Sequence, residues 1–150
     1  MEIGLAADHG GFQLKEEIKE FLTAQGFVVR DYGALDYDAK DDYPDLILPL
    51  ARAVSDGEVS KGIGVCGSGV GAAIAANKIK NVRAALITES YSARQGVEHD
   101  DMNLICLGGR VIGIELAKEL VNAFIAADYS GEERHQRRLN KVTILEKNWK

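Results

Sequence analysis

The stretch Gly62-Ile63-Gly64-Val65-Cys66 runs directly into Gly67-Ser68-Gly69-Val70-Gly71 and then into the alanine-rich segment Ala72 to Asn77. The first five residues are small and apolar at every position, as a strand covered on both faces must be. The next five form a tight glycine turn, and the segment through Asn77 reads as a helix. Strand, turn and helix in direct succession make up part of a parallel βαβ unit, and the flanking sequence repeats the pattern.

Upstream, Ile3–Ala7 reads as a strand and Phe12–Gln25 as an amphipathic helix carrying Leu14, Ile18, Phe21 and Leu22 on one face. Gly26 closes that helix, and Phe27–Asp31 is the next strand. Asp36–Asp42 is an acidic loop. Asp45–Val54 has a helical pattern interrupted by Pro49, so a kink or a later start is expected there. Downstream, Arg83–Thr88 is a strand, Ser90–Glu98 a helix and Leu104–Leu107 a strand. Ile112–Ala127 is a periodic helix with Ala117, Leu120, Val121, Phe124 and Ile125 on its core face. Gly131 is expected to break it, and Glu133–Lys147 forms a last, charged helix.

Five strands alternating with helices imply an α/β fold. The expected form is Rossmann-like and doubly wound: a five-stranded parallel sheet with helices on both faces, and one domain over residues 1–150. Such sheets bind ligands outside the carboxyl ends of their strands. That rule selects Asp8-His9-Gly10-Gly11, the turn after Cys66, Thr88-Glu89 and Gly108-Gly109-Arg110.

Composition narrows the function. Lys+Arg number 18 against 23 Asp+Glu, a formal charge of −5, which argues against nucleic acid and other polyanions as partners. Cys66 and Cys106 are too far apart in sequence for a CxxC pair, so neither a disulfide scaffold nor a zinc module is expected. The opening Met1-Glu2-Ile3-Gly4 has no basic and apolar leader pattern, and a cytoplasmic location is the expectation. The uncharged stretch Gly62–Asn77 falls short of the ~20 residues a membrane span needs. No membrane partner is expected.

The turn after Cys66 can point several backbone N–H groups into one concavity, suited to an anion or a developing oxyanion. The same positive field favours a thiolate at Cys66. Named motifs fail here in an informative way. The loop is G-x-G-x-G, not the dinucleotide fingerprint, and no Lys-Ser/Thr pair follows Gly71 as a Walker loop requires. A nucleophile elbow around Ser68 would need glycines where Cys66 and Val70 stand. A cysteine-phosphatase loop would need arginine at position 72, which is Ala72. An oxyanion hole beside a thiolate base is still available to this loop. Asp8 and His9 follow the first strand, where Asp8 could equally cap the next helix. His99-Asp100-Asp101 offers an acid–base imidazole or a surface loop. Arg134, Arg138 and Lys141 share one helical face, as a phosphate clamp or as a solvated stripe.

Taken in order, several segments resemble the ribose-5-phosphate isomerase B family, within the group that includes galactose-6-phosphate and allose-6-phosphate isomerases. They are Ala7 to Lys15, Asp42-Tyr43-Pro44, Cys66 to Lys78, Arg83-Ala84-Ala85, His99 to Asn103, Gly108 to Gly113, and Arg134-His135-Gln136. The resemblance implies aldose–ketose isomerisation of a phosphorylated sugar through an enediolate, with no metal and no organic cofactor. Cys66 is then the base, the Gly67, Ser68, Gly69, Val70 and Gly71 amides the anion hole, and Ser68 a proton relay. His99 opens the furanose ring, assisted by Asp8. His9, Tyr43, Asp100, Arg110, Arg134 and Arg138 bind substrate. The resemblance also implies a homodimer or a dimer of dimers, with active sites at the subunit interface and His99 and some arginines arriving from the neighbour. Asp100 stands where the family usually has Asn, and Ser68 where Thr is common. A six-carbon sugar-phosphate isomerase and a non-catalytic sugar-phosphate- or nucleotide-binding module are the alternatives.

Overall fold

The structure, a computed structural model, describes residues 1–148. Its elements in chain order are β1 (Glu2–Ala7), α1 (Phe12–Ala24), β2 (Val28–Asp31), α2 (Tyr43–Ser55), β3 (Lys61–Cys66) and α3 (Val70–Ala76). There follow β4 (Ala84–Leu86), α4 (Ser90–Asp100), β5 (Leu104–Gly108), α5 (Ile114–Ala126) and α6 (Glu133–Lys147). All strand pairs are parallel, in the order β2-β1-β3-β5-β4. The expected doubly wound α/β sheet is what forms, and among the described residues no helix is long and apolar enough to cross a membrane.

Alternation along each central strand divides the interior in two. Ile3, Leu5, Ile63, Val65, Ile105 and Leu107 pack with α1, α4 and α5. Ala6, Cys66, Leu104 and Cys106 pack with α2 and α3 on the other face. The strand glycines belong to that second face. A Cβ at Gly4 would sit 2.5 Å from Leu50 Cδ1, one at Gly62 2.9 Å from Val54 Cγ2, and one at Gly64 3.1 Å from Ile47 Cδ1. Ile47, Leu50 and Val54 form one stripe of α2, so the missing side chains are what let this helix lie close against β1 and β3.

The start of α2 and the cause of the end of α5 differ from expectation. α2 starts earlier than Asp45, because Asp42 in extended conformation precedes it and Pro44 occupies its first turn, where a fixed φ and a missing N–H cost nothing. It then continues through Pro49, losing one backbone bond but keeping Ile47 and Leu50 fully buried on either side. α5 ends at Ala126, one residue from the expected Ala127, but Gly131 does not break it and instead lies just ahead of α6. The buried Lys61 ammonium terminates it, donating to the carbonyls of Phe124 (2.6 Å), Ile125 (3.2 Å) and Ala127 (2.6 Å). A cation on the last carbonyls does what a C-terminal glycine otherwise would. Burial lowers the Lys61 pKa from its ordinary value, against smaller opposing effects of Asp128 and Asp101. β4 is shorter than Arg83–Thr88, although the Ile87 N–H still reaches the Cys106 carbonyl at 3.0 Å.

Candidate active site

The central strands β1, β3 and β5 are adjacent, so the loops following them emerge side by side at one end of the sheet. Backbone bonds tie them together. The Asp8 N–H donates to the Val65 carbonyl (3.3 Å), Gly109 N–H to the Cys66 carbonyl (2.8 Å) and Arg110 N–H to the Gly67 carbonyl (3.0 Å). Glycine is required at these crossings. A Cβ at Gly10 would meet the Gly67 nitrogen at 2.8 Å, and one at Gly109 the Gly10 carbonyl oxygen at 2.5 Å. Backbone cannot yield as a flexible side chain does. Gly109→Ala is therefore expected to destabilise the protein by about 1–3 kcal/mol and to cut activity, as urea unfolding and rate measurements would show.

Cys66 is the last residue of β3 and is buried. The Gly69 N–H donates to its Sγ at 3.1 Å, and Gly69 adopts φ +83°, a left-handed conformation that suits glycine. Ser68 is exposed, and its Oγ accepts from the Val70 N–H at 3.3 Å. A Cβ on Gly71 would lie 2.9 Å from the Tyr43 ring, so Tyr43 packs over this loop. Arg110 stands beside Gly67, its guanidinium 3.5 Å from where a Gly67 Cβ would be. The second cysteine differs in kind: Cys106 is fully buried, and burial pushes its thiol far above the ordinary range.

Asp8 does not cap α1 itself, whose N-cap is Gly11 with no side-chain cap bond. Its Oδ1 accepts from Gly10 N–H (2.9 Å) and Gly11 N–H (3.2 Å), shaping the turn into α1 while remaining next to the Cys66 loop. His9 is held by Asp41, a residue the sequence reading passed over within the acidic loop. Asp41 Oδ1 accepts from the His9 backbone N–H at 3.0 Å and lies 2.7 Å from Nδ1. That hydrogen bond raises His9 above its ordinary 6.5, with Asp8 assisting and burial and Arg110 opposing. Asp8, His9 and Asp41 have ligand-type atoms within 4.8 Å of one another. Of the three, His9 and Asp41 are bonded to each other, and Asp8 Oδ1 serves the Gly10 and Gly11 amides.

The remaining candidates lie elsewhere. α4 runs back from the end of β4 and finishes beside the start of β5, where the Gly62 N–H donates to the Asn103 carbonyl. His99, in its last turn, is thus at the opposite edge of the sheet from Cys66, separated along β3 by roughly 16 Å of strand. His99 stacks on His135 of α6 with ring centroids 3.9 Å apart, and the Gln95 side-chain amide bonds to its Nδ1 at 2.8 Å. Burial, then the neighbouring His99 and Arg134, lowers His135 from the ordinary imidazole value. Arg134 pairs with Glu132 at 2.9 Å, in line with the solvated reading, and Arg138 is exposed on the same helix. Asp100 lines a groove of about 690 Å³ with Val82, Ala85, Val142 and Leu145, well away from the cysteine loop.

The chain therefore gathers Cys66, Ser68, Asp8, His9, Tyr43, Arg110 and the glycine amides at one end. It leaves His99, Asp100, Arg134 and Arg138 at the other. Residues 3–142 match the model of the ribose/galactose isomerase family. Over 145 residues the chain is 43% identical to ribose-5-phosphate isomerase B of Escherichia coli (strain K12), covering 97% of this chain and 96% of that one. The solved structure of ribose-5-phosphate isomerase B from Clostridium thermocellum superposes with a TM-score of 0.96 at 44% identity, covering 100% of both chains. That of the Mycoplasma genitalium enzyme, with bound ribulose-5-phosphate, gives 0.92 at 39% identity, over 99% and 97% of the two chains. A match of this extent, on a site built around a glycine-cradled cysteine, means that the chain belongs to the ribose/galactose isomerase family.

Proposed function

We propose that this chain interconverts ribose 5-phosphate and ribulose 5-phosphate through an enediolate, with Cys66 as the base. The observation that carries the reading is the Gly69 N–H aimed at Cys66 Sγ within a glycine loop that leads into the first turn of α3. A thiolate takes the proton from C2 of the open-chain aldose. The C–H electron pair forms the C1–C2 double bond and the carbonyl pair moves to O1. Returning the proton to C1, with loss of the O2 proton, completes the ketose. Fixed amide dipoles on the developing oxyanion lower this barrier more than mobile water would. Ser68 relays the proton between the two oxygens, and His9, Tyr43 and Arg110 hold the sugar phosphate.

Ring opening by His99, assisted by Asp8, and phosphate binding by Arg134 and Arg138 require a second copy of the chain. Asp100 belongs to the same transferred set. In a dimer the α4–α6 end of one subunit faces the cysteine loop of the other, and two copies make two sites. The exposed apolar residues Val142, Ile144 and Leu145 on α6 favour such an assembly, as a dimer or a dimer of dimers. Unpaired Cys66 and Cys106 suit a reducing cytoplasm.

The test is isomerisation in deuterated water. Turnover of ribose 5-phosphate with deuterium appearing on C1 of the ketose is the expected result, with kcat/KM at least about tenfold above that for allose or galactose 6-phosphate. Faster six-carbon turnover would move the assignment to those sugars. Binding without exchange of the carbon-bound hydrogen would reduce the protein to a binding module.

A further inference from the structure

We propose that Asp41 is a positioning residue for substrate binding: it holds the His9 ring by Nδ1 and keeps it charged, with Nε2–H as its free donor for the sugar phosphate. The inference rests on the reading above, in which His9 binds substrate, and adds the residue through which His9 is set.

The geometry has three parts. One carboxylate oxygen, Asp41 Oδ1, takes both the backbone N–H of His9 at 3.0 Å and its Nδ1 at 2.7 Å, which fixes the residue at two points. Among the described residues Nε2 of His9 has no hydrogen-bond partner, so the ring's second donor is unspent. The other oxygen, Asp41 Oδ2, is buried and also without a partner. A buried carboxylate with an unsatisfied oxygen is costly, and a positive charge alongside offsets that cost. Asp41 thus favours imidazolium over imidazole. The groups facing the ring are Asp8 from its own loop, Asp41 from the acidic loop and Arg110 from the loop after β5. Two carboxylates against one guanidinium leave the balance toward the protonated form, in keeping with the raised pKa.

The arrangement has a direct chemical use. A neutral histidine bonded through Nδ1–H presents Nε2 as an acceptor, which suits a hydroxyl but repels a phosphate oxygen. The protonated ring presents Nε2–H, a charge-assisted donor to either. Sequence pattern offers little warning, since Asp41 is one of several acids between Asp36 and Asp42.

The sign of the pH effect follows. Raising pH through the His9 midpoint removes the charge, so KM for ribose 5-phosphate rises while kcat, set by Cys66, is largely kept. In Asp41→Asn the His9 midpoint falls toward 6.5 and the rise in KM begins at lower pH. The experiment is an NMR titration of the His9 ring in the substrate-free protein and in Asp41→Asn, with steady-state kinetics across the same pH range. Expected are a lowered His9 midpoint and a KM increased about two- to fourfold at neutral pH, with kcat within about twofold. An unchanged His9 midpoint overturns the proposal, as does a lowered midpoint with unaltered KM. A double-mutant cycle guards against a merely structural effect. In a His9→Asn background, Asp41→Asn is expected to change KM no further, and an undiminished effect there also overturns the proposal. Because the titration is read without substrate, loss of the Asp41–His9 coupling is distinguishable from failure of the isomerase assignment, which would show as no turnover by the unaltered protein.

Discussion

Cys66→Ala is expected to lower kcat by about 10²–10⁴-fold while ribose 5-phosphate still binds, which is the scale of removing a positioned general base. The fold should tolerate the change, because the features that shape the loop do not depend on sulfur. The Gly109 N–H bonds to the Cys66 carbonyl, Arg110 N–H to the Gly67 carbonyl, and Asp8 Oδ1 to the amides of Gly10 and Gly11. All of these survive in the alanine variant. What disappears is Sγ and the bond it accepts from Gly69. Cys106→Ala serves as the contrast. That thiol lies fully buried in the core on the α2 face, with its pKa pushed upward by burial, so its loss should affect stability and leave kcat within about twofold. Measuring kcat, KM and the unfolding midpoint for both variants separates the roles. Near-normal turnover by Cys66→Ala would remove Cys66 as the base. A large fall in the unfolding midpoint would instead make it a packing residue.

Much of this site was legible because backbone chemistry controls it. Gly67, Gly69 and Gly71 after the apolar run Gly62–Val65 admit few structures, and the loops after β1, β3 and β5 converge because those strands are neighbours. Three things were hidden for a physical reason. Lys61 ends α5 from 63 residues away in sequence by bonding the Phe124 carbonyl, so the end expected at Ala127 lies within one residue of that observed, but Gly131 is not what stops the helix. α2 carries Pro49 through its middle because tertiary packing of Ile47 and Leu50 outweighs one lost backbone bond. Asp41 reaches His9 across 32 residues from within a run of acids, and no periodicity marks which acid of a loop turns inward. Each is a long-range side-chain contact, and strand and helix patterns carry no information about those.

The placement of His99 leads to the second large effect. Within a single chain it sits at the end of α4, near the start of β5, whereas Cys66 closes the far end of β3. No rotamer change spans that distance, so if both residues serve one reaction they must come from different copies. Cys66→Ala and His99→Ala should each be almost inactive with ribose 5-phosphate. Unfolding an equal mixture of the two and refolding it together should restore about one quarter of unmodified activity. Half of the randomly formed dimers are hybrids, and in each hybrid one site receives both mutations while the other receives neither. Refolding each variant alone should restore nothing, which excludes recovery by refolding itself. The stack of His99 on His135 supports the same arrangement, because it presents one imidazole rigidly at the subunit's edge while burying the other. Absence of recovery, with hybrids demonstrated by differential tagging, would place the ring-opening group within the same subunit as Cys66. Near-normal turnover by His99→Ala would remove His99 from the reaction, and the acid would have to be found among Asp8, His9 and Ser68.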